Sequence, residues 1–216
     1  MRGKRAWLVV CAAGLLAGCR TLGGGPQIAP PQAVDMDPEA LHKFQHEVEE
    51  YVELHQELLK RVPNVTPHST SEEIAAHRKK MTDAIRAERA DEKQGAIFKP
   101  KVAAAFRQLI NEQMAGSEGP AILASMREGN PKVEGTPTRR NPNSEGLVQV
   151  QVAVNAVYPD AAPASSVPSS LLLKMPPLPD QVKYGFVGSA LILRDTEASV
   201  ILDFVPDVVA DRRLPR

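Results

Sequence analysis

The hydrophobic pattern of this 216-residue chain changes period once, and that change limits what the chain can fold into. Through Glu128 the apolar residues recur every three or four positions, as they do along helices with one buried face. After Gly146 they recur every second position, as they do along strands with one buried face. Between the two, residues 129–146 are rich in Gly, Pro and Asn and carry the Arg139-Arg140 pair, a composition that reads as a linker. The expected fold class is α+β: a helical region over 37–128, an antiparallel β unit over 147–206 and a C-terminal tail over 207–216.

The first helix has a well-marked start. Asp37 offers a capping carboxylate, Pro38 suits the first helical position, and Glu39 complements the positive helix end. The helix should run to about Val62, where Pro63 stops it. Leu41, Phe44, Val48, Tyr51, His55, Leu58 and Val62 fall at alternating three- and four-residue intervals, a seam like that of a coiled coil with one polar member, His55. Thr70 and Glu73 form a capping box for a second helix to about Gln94, whose apolar face (Ile74, Met81, Ala84, Ile85) is thin. The short loop between these helices favours an antiparallel hairpin. Pro100 opens a third helix with the stripe Val102, Phe106, Leu109, Ile110 and Met114, closed by Gly116. Pro120 to Glu128 reads as a short fourth helix.

Val148, Val150, Val152 and Val154 alternate with other residues and predict a strand from Leu147 to Tyr158. A Pro/Ala/Ser loop follows, then the rigid segment Pro176-Pro177-Leu178-Pro179. Val182, Tyr184 and Phe186 alternate up to Gly188, where the pattern shifts by one before Leu191 and Leu193. A β-bulge at Gly188 is the expected cause. Asp195 to Ala198 reads as a turn, and Val200, Leu202 and Phe204 lead back. The expected unit is a hairpin over Gln181 to Val205 beside the Leu147–Tyr158 strand, three strands in all.

The amino terminus carries a different kind of signal. Arg2, Lys4 and Arg5 precede the apolar run Ala6 to Leu16, and Leu16-Ala17-Gly18-Cys19 follows. The run is shorter than the roughly 20 residues needed to span a bilayer, and it has the length of a signal-peptide core. The pattern resembles the lipobox of bacterial lipoproteins. That resemblance implies a leader over 1–18, removed so that Cys19 becomes the first mature residue and carries the acyl chains. Two or more chains give stable anchoring, at about 0.8 kcal/mol per buried CH₂. It also implies an exported, envelope location. In Gram-negative lipoproteins an Asp after the cysteine favours retention at the inner membrane; Arg20 stands here, which favours the outer membrane facing the periplasm. Residues 19–36, with Gly23 to Gly25, Pro26, Pro30 and Pro31, form a tether reaching roughly 20 Å as a coil and about 50 Å if extended.

Composition narrows the function classes. Cys11 and Cys19 are the only cysteines, so the body beyond the anchor has no disulfide, thiolate metal ligand or thiol nucleophile. Loss of the leader tips an even balance of 26 basic and 26 acidic residues to the acidic side, which gives no nucleic-acid signature. There is no phosphate-binding glycine loop, no G-x-S-x-G and no H-E-x-x-H. No cofactor is implied.

The remaining candidates are small clusters. His42 and His46, four apart, share a helical stripe with Glu49 and Glu53, a donor set suited to zinc, nickel or copper but opposite the apolar seam. The plainer account is a solvated face with ordinary i,i+4 pairs. His55 and His77 could meet across the hairpin, either as polar residues that set register or as a pH-sensitive contact. Asp195, Glu197 and Asp203 read as turn and edge residues. The Pro176–Pro179 segment could dock on a partner or simply lead into the hairpin. The expectation is a non-enzymatic envelope lipoprotein that binds another envelope protein or a second copy of itself. The alternative is a periplasmic metal- or small-ligand-binding protein.

Overall fold

The structure is a computed structural model that describes residues 36–129, 132–133, 149–163 and 167–209. The leader, Cys19, the tether before Met36, most of the linker and the tail beyond Val209 lie outside the described residues. Four helices come first: α1 (Pro38–Leu59), α2 (Ser71–Glu88), α3 (Pro100–Ala115) and α4 (Gly119–Gly129). Two-residue strands β1 (Lys132–Val133) and β2 (Gln149–Val150) pair in parallel. A single helical turn, α5 (Ser169–Leu172), precedes strands β3 (Val182–Val187), β4 (Ala190–Asp195) and β5 (Ile201–Val205). These three strands form an antiparallel sheet in the order β3-β4-β5. The fold is α+β, with the helices N-terminal to the sheet.

The helix starts follow their sequence signals. Asp37 accepts the Ala40 N–H at 3.0 Å, and Thr70 and Glu73 form the reciprocal capping box. The α1 seam is buried as its spacing dictates, with Phe44, Val48, Tyr51, His55 and Leu58 inside. The helix ends at Leu59, and a turn carries the chain to Pro63. α2 also stops early, at Glu88, because residues 95–98 are drawn away to the sheet. α2 runs back along α1: His77 near its start faces Pro63, and Arg89 at its end lies over the Tyr51 ring.

The sheet departs from expectation in three ways. At Gly188 there is a tight turn, not a bulge: Val187 pairs with Ala190, and Gly188 takes φ 59° at the first of the two turn positions, the place glycine occupies in a II′ hairpin. The segment expected to be one hairpin arm is therefore two strands. The bulge lies instead between Leu193 and Arg194, where the register with β5 shifts. Finally, the predicted Leu147–Tyr158 strand does not form as one element. Gln149–Val150 pairs with β1, Ala153 to Asn155 turns with Asn155 at φ 62°, and only Val157 makes an antiparallel bridge, to Val200 beside β5.

The helices and one face of the sheet share a core. An aromatic cluster joins them. Phe44 of α1 stacks on Phe98 at 5.7 Å and on Tyr184 of β3 at 6.1 Å, and Phe106 of α3 meets Phe44 edge-on at 5.1 Å. Burying each such ring contributes roughly 2–3 kcal/mol. The sheet is covered on both faces. Val182, Tyr184, Phe186, Leu191 and Leu193 face the helices, while Val187, Ile192 and Ile201 pack under Val150, Tyr158 and Ala162. Two covered faces explain why β4 lacks the polar alternation of a half-exposed strand.

Candidate functional site

The most concentrated ionisable chemistry lies where α1, α2 and the β4–β5 turn meet. His55 is in the α1 seam because of its helical phase, and it is 1% exposed. Its Nδ1 lies 2.7 Å from Asp195 Oδ2 and its Nε2 lies 3.0 Å from Glu197 Oε2. Tyr51, one turn earlier on the same face, donates its hydroxyl to the same Asp195 oxygen at 2.7 Å. Asp195 ends β4 and is fully buried. Its other oxygen accepts the backbone N–H groups of Glu197 and Ala198, which closes the turn.

Glu197 joins the two histidines. Its Oε1 lies 2.6 Å from His77 Nε2, and His77 Nδ1 lies 2.6 Å from the Pro63 carbonyl oxygen. The carbonyl can only accept, so His77 Nδ1 carries a proton. The two histidines singled out in the sequence are thus brought together through a shared carboxylate rather than by touching each other.

Electrostatics follow from this wiring. Burial by itself would lower the His55 pKa, but the hydrogen bond and charge of Asp195, with those of Glu197, outweigh it and leave it raised. Both ring nitrogens face carboxylate oxygens, so it is the imidazolium form that can donate to both. Burial, then the charge and hydrogen bond of Asp195, hold the Tyr51 hydroxyl well above the usual tyrosine range, so it stays a donor. Arg89 at the end of α2 stacks over the Tyr51 ring at 5.5 Å and donates to the Leu202 carbonyl at 2.9 Å.

No protein-family model, curated protein or solved structure matches the chain.

This constellation has the residue types of a catalytic triad but not the access. Tyr51, His55 and Asp195 are closed from solvent, and only the Glu197 side chain, 35% exposed, meets water appreciably. A reacting atom has no approach to His55 in this arrangement. What the cluster can do is hold protons and fasten three elements together. A second buried carboxylate works similarly. Asp203 of β5, fully buried, accepts the N–H groups of Gly95, Ile97 and Phe98. Asp195 and Asp203 are therefore interior anchors; the reading of both as edge-protecting residues is corrected, although the turn role of Asp195 stands.

His42, His46, Glu49 and Glu53 all lie exposed on the outer face of α1. His46 Nδ1 is 3.7 Å from Glu50 Oε2. Among the described residues, no group of three or more His, Cys, Asp or Glu side chains is placed to hold a metal ion. A groove of about 380 Å³ runs beside that face, floored by Phe44 and Val48 and walled by Val52, Pro177 and Pro179, with Glu49 and Glu53 on its rim. Cys19 lies outside the described residues. Sequence reasoning missed the pairing of His55 and His77 with Asp195 and Glu197; the available signal was a polar residue in an apolar seam, which needs a buried partner.

Proposed function

We propose that this chain is a lipid-anchored envelope protein that works by binding another protein, without catalysis. The observation that carries the reading is Leu16-Ala17-Gly18-Cys19 behind a basic start and an apolar run, with no other cysteine beyond it. Acylated Cys19 would tether the body to a membrane, favouring the outer membrane's periplasmic side in a Gram-negative source. The body supports a binding role. Its buried acids and histidines are taken up by internal hydrogen bonds, and its outer α1 face, with the adjoining Pro177 and Pro179, offers a groove for a partner segment.

The test has two arms. Metabolic labelling with an alkyne palmitate should mark the wild-type chain and leave a Cys19→Ala variant unmarked. Absence of label on the wild type removes the anchored reading. Photo-cross-linking in cells from Gln45 or Glu49 should then capture a defined envelope protein, or a second copy, that is lost with Cys19→Ala. Labelling without any such adduct leaves an anchored protein but removes the binding role.

A further inference from the structure

α2 is attached differently from its neighbours. α3 buries a continuous stripe of Val102, Phe106, Leu109 and Ile110. α2 buries only Met81 and Ile85 as large apolar side chains, and Ile74 is 41% exposed. Its hold on the sheet is polar and runs along the β4–β5 turn into β5. His77 meets Glu197, Thr82 donates to the Ala198 carbonyl at 2.8 Å, and Arg89 donates to the Leu202 carbonyl. Of these three, the His77–Glu197 contact joins two titratable groups and so depends on protonation, as an apolar stripe does not.

We propose that Glu197 is a proton-dependent clasp that holds α2 against α1 and the sheet while His55 is an imidazolium, and that lets α2 detach when His55 loses a proton. The reasoning is geometric. A neutral His55 keeps one N–H. Asp195 is fully buried and cannot turn to water, so the proton stays on Nδ1. Nε2 then presents a lone pair to Glu197 Oε2, two acceptors at 3.0 Å. Glu197 is the one member of the cluster with a third of its side chain in solvent, so it is the one that leaves. Its departure strips His77 Nε2 of its partner and removes the first of the three polar bonds that tie α2 to the β4–β5 turn and β5.

His77 must donate from both nitrogens as well: Nδ1 gives its proton to the Pro63 carbonyl, so Nε2 needs a second proton to reach Glu197, and the clasp holds only while both rings donate to that carboxylate. The remaining groups facing the cluster do not substitute for the His55 proton. Tyr51 already donates to Asp195, and Arg89 lies over the Tyr51 ring with one guanidinium nitrogen donating to the Leu202 carbonyl. On α2, Glu73 is engaged with Thr70, and Arg78 with Asp160 on the outer side. Detachment uncovers Met81 and Ile85 and the α1 face beneath them. The inference goes beyond the proposed anchoring and binding and does not depend on either.

The experiment is hydrogen–deuterium exchange by mass spectrometry on the full-length chain in detergent, from about pH 6, near the free-histidine range, to about pH 9, corrected for intrinsic exchange. Protection of peptides from α2 should fall by about tenfold or more over this range while peptides from α3 stay protected. Glu197→Gln, which cannot carry the charge, should flatten the α2 profile. Nitrogen NMR of the His55 ring supplies a readout that needs no variant: both ring nitrogens should be protonated at about pH 6, and Nε2 should lose its proton as α2 loosens. Uniform loss of protection in α2 and α3, an α2 profile independent of pH, or a neutral His55 ring at about pH 6 would each overturn the clasp.

Discussion

The carboxylate of Asp203 accepts the backbone N–H of Phe98 at 2.7 Å, across 105 residues of chain. The same side chain holds the Ile97 N–H at 2.8 Å and the Gly95 N–H at 2.9 Å. The loop before α3 thus closes around a buried charge, and Phe98 is delivered to its stack with Phe44. Asp203→Ala leaves buried N–H groups without acceptors, each costing about 1–3 kcal/mol. The expected loss is about 3 kcal/mol or more in urea unfolding. Asp203→Asn, which retains one carbonyl oxygen, should cost less. Equal stability for wild type and Asp203→Ala would show that the loop is held by its aromatics alone.

Tyr51 and Asp195 offer a cleaner dissection of the histidine cluster. Tyr51→Phe removes one hydroxyl from a charged acceptor and leaves the ring under Arg89, so about 1.5–3 kcal/mol should be lost. Asp195→Asn removes the charge that balances the His55 imidazolium in a closed site, at an expected cost of about 3–5 kcal/mol. Chemical denaturation at neutral pH would rank the two. The reverse ranking would mean that the hydroxyl, not the ion pair, organises the junction.

Global stability should depend on pH with a definite sign. The folded-state pKa of His55 is raised, because the hydrogen bond and charge of Asp195, with those of Glu197, outweigh burial. The stabilisation from this ring is therefore fully present below the unfolded-state value of about 6.5 and is lost as pH rises through the higher folded-state value. The urea midpoint should fall from neutral to alkaline pH in the wild type, and a His55→Gln variant should lose that slope. A midpoint that rises across the same window would contradict the raised pKa.

The parts of this fold that were legible are those whose cause is local. The α1 seam could be read because helical phase alone decides that Phe44, Val48, Tyr51, His55 and Leu58 share a face. The caps at Asp37 and Thr70 act over three residues. The cluster at His55 was half legible: a histidine among apolar seam residues signals a buried partner, but that partner lies 140 residues away and no spacing rule connects them. Gly188 misled because a two-residue turn and a bulge both shift the alternation by one, and only pairing on the far side tells them apart. The valine alternation from Val148 to Val154 misled for another reason. Asn155 adopts a left-handed conformation and donates to the Arg89 carbonyl, so tertiary contact with the end of α2 bends a segment whose side chains favour a strand.

The junction between α3 and α4 should tolerate one glycine change and reject another three residues on. A Cβ on Gly119 would lie 1.9 Å from the Met114 carbonyl oxygen, and backbone on both sides must move to admit it. A Cβ on Gly116 would come no nearer than 3.4 Å, to the Gln113 carbonyl oxygen, and Gly116 has φ −74°, which an alanine adopts readily. Gly116→Ala should therefore be neutral to slightly stabilising, by up to about 1 kcal/mol, through a less flexible unfolded chain. Gly119→Ala should be destabilising by about 1–3 kcal/mol, the usual cost of forcing atoms into a filled space. The consequence reaches the core, since Gly119 opens the helix that buries Ile122 and Met126. Thermal unfolding of the two variants separates the effects: a drop for Gly119→Ala with none for Gly116→Ala locates the constraint at the Met114 carbonyl, whereas similar drops for both would mean that the junction depends on general flexibility.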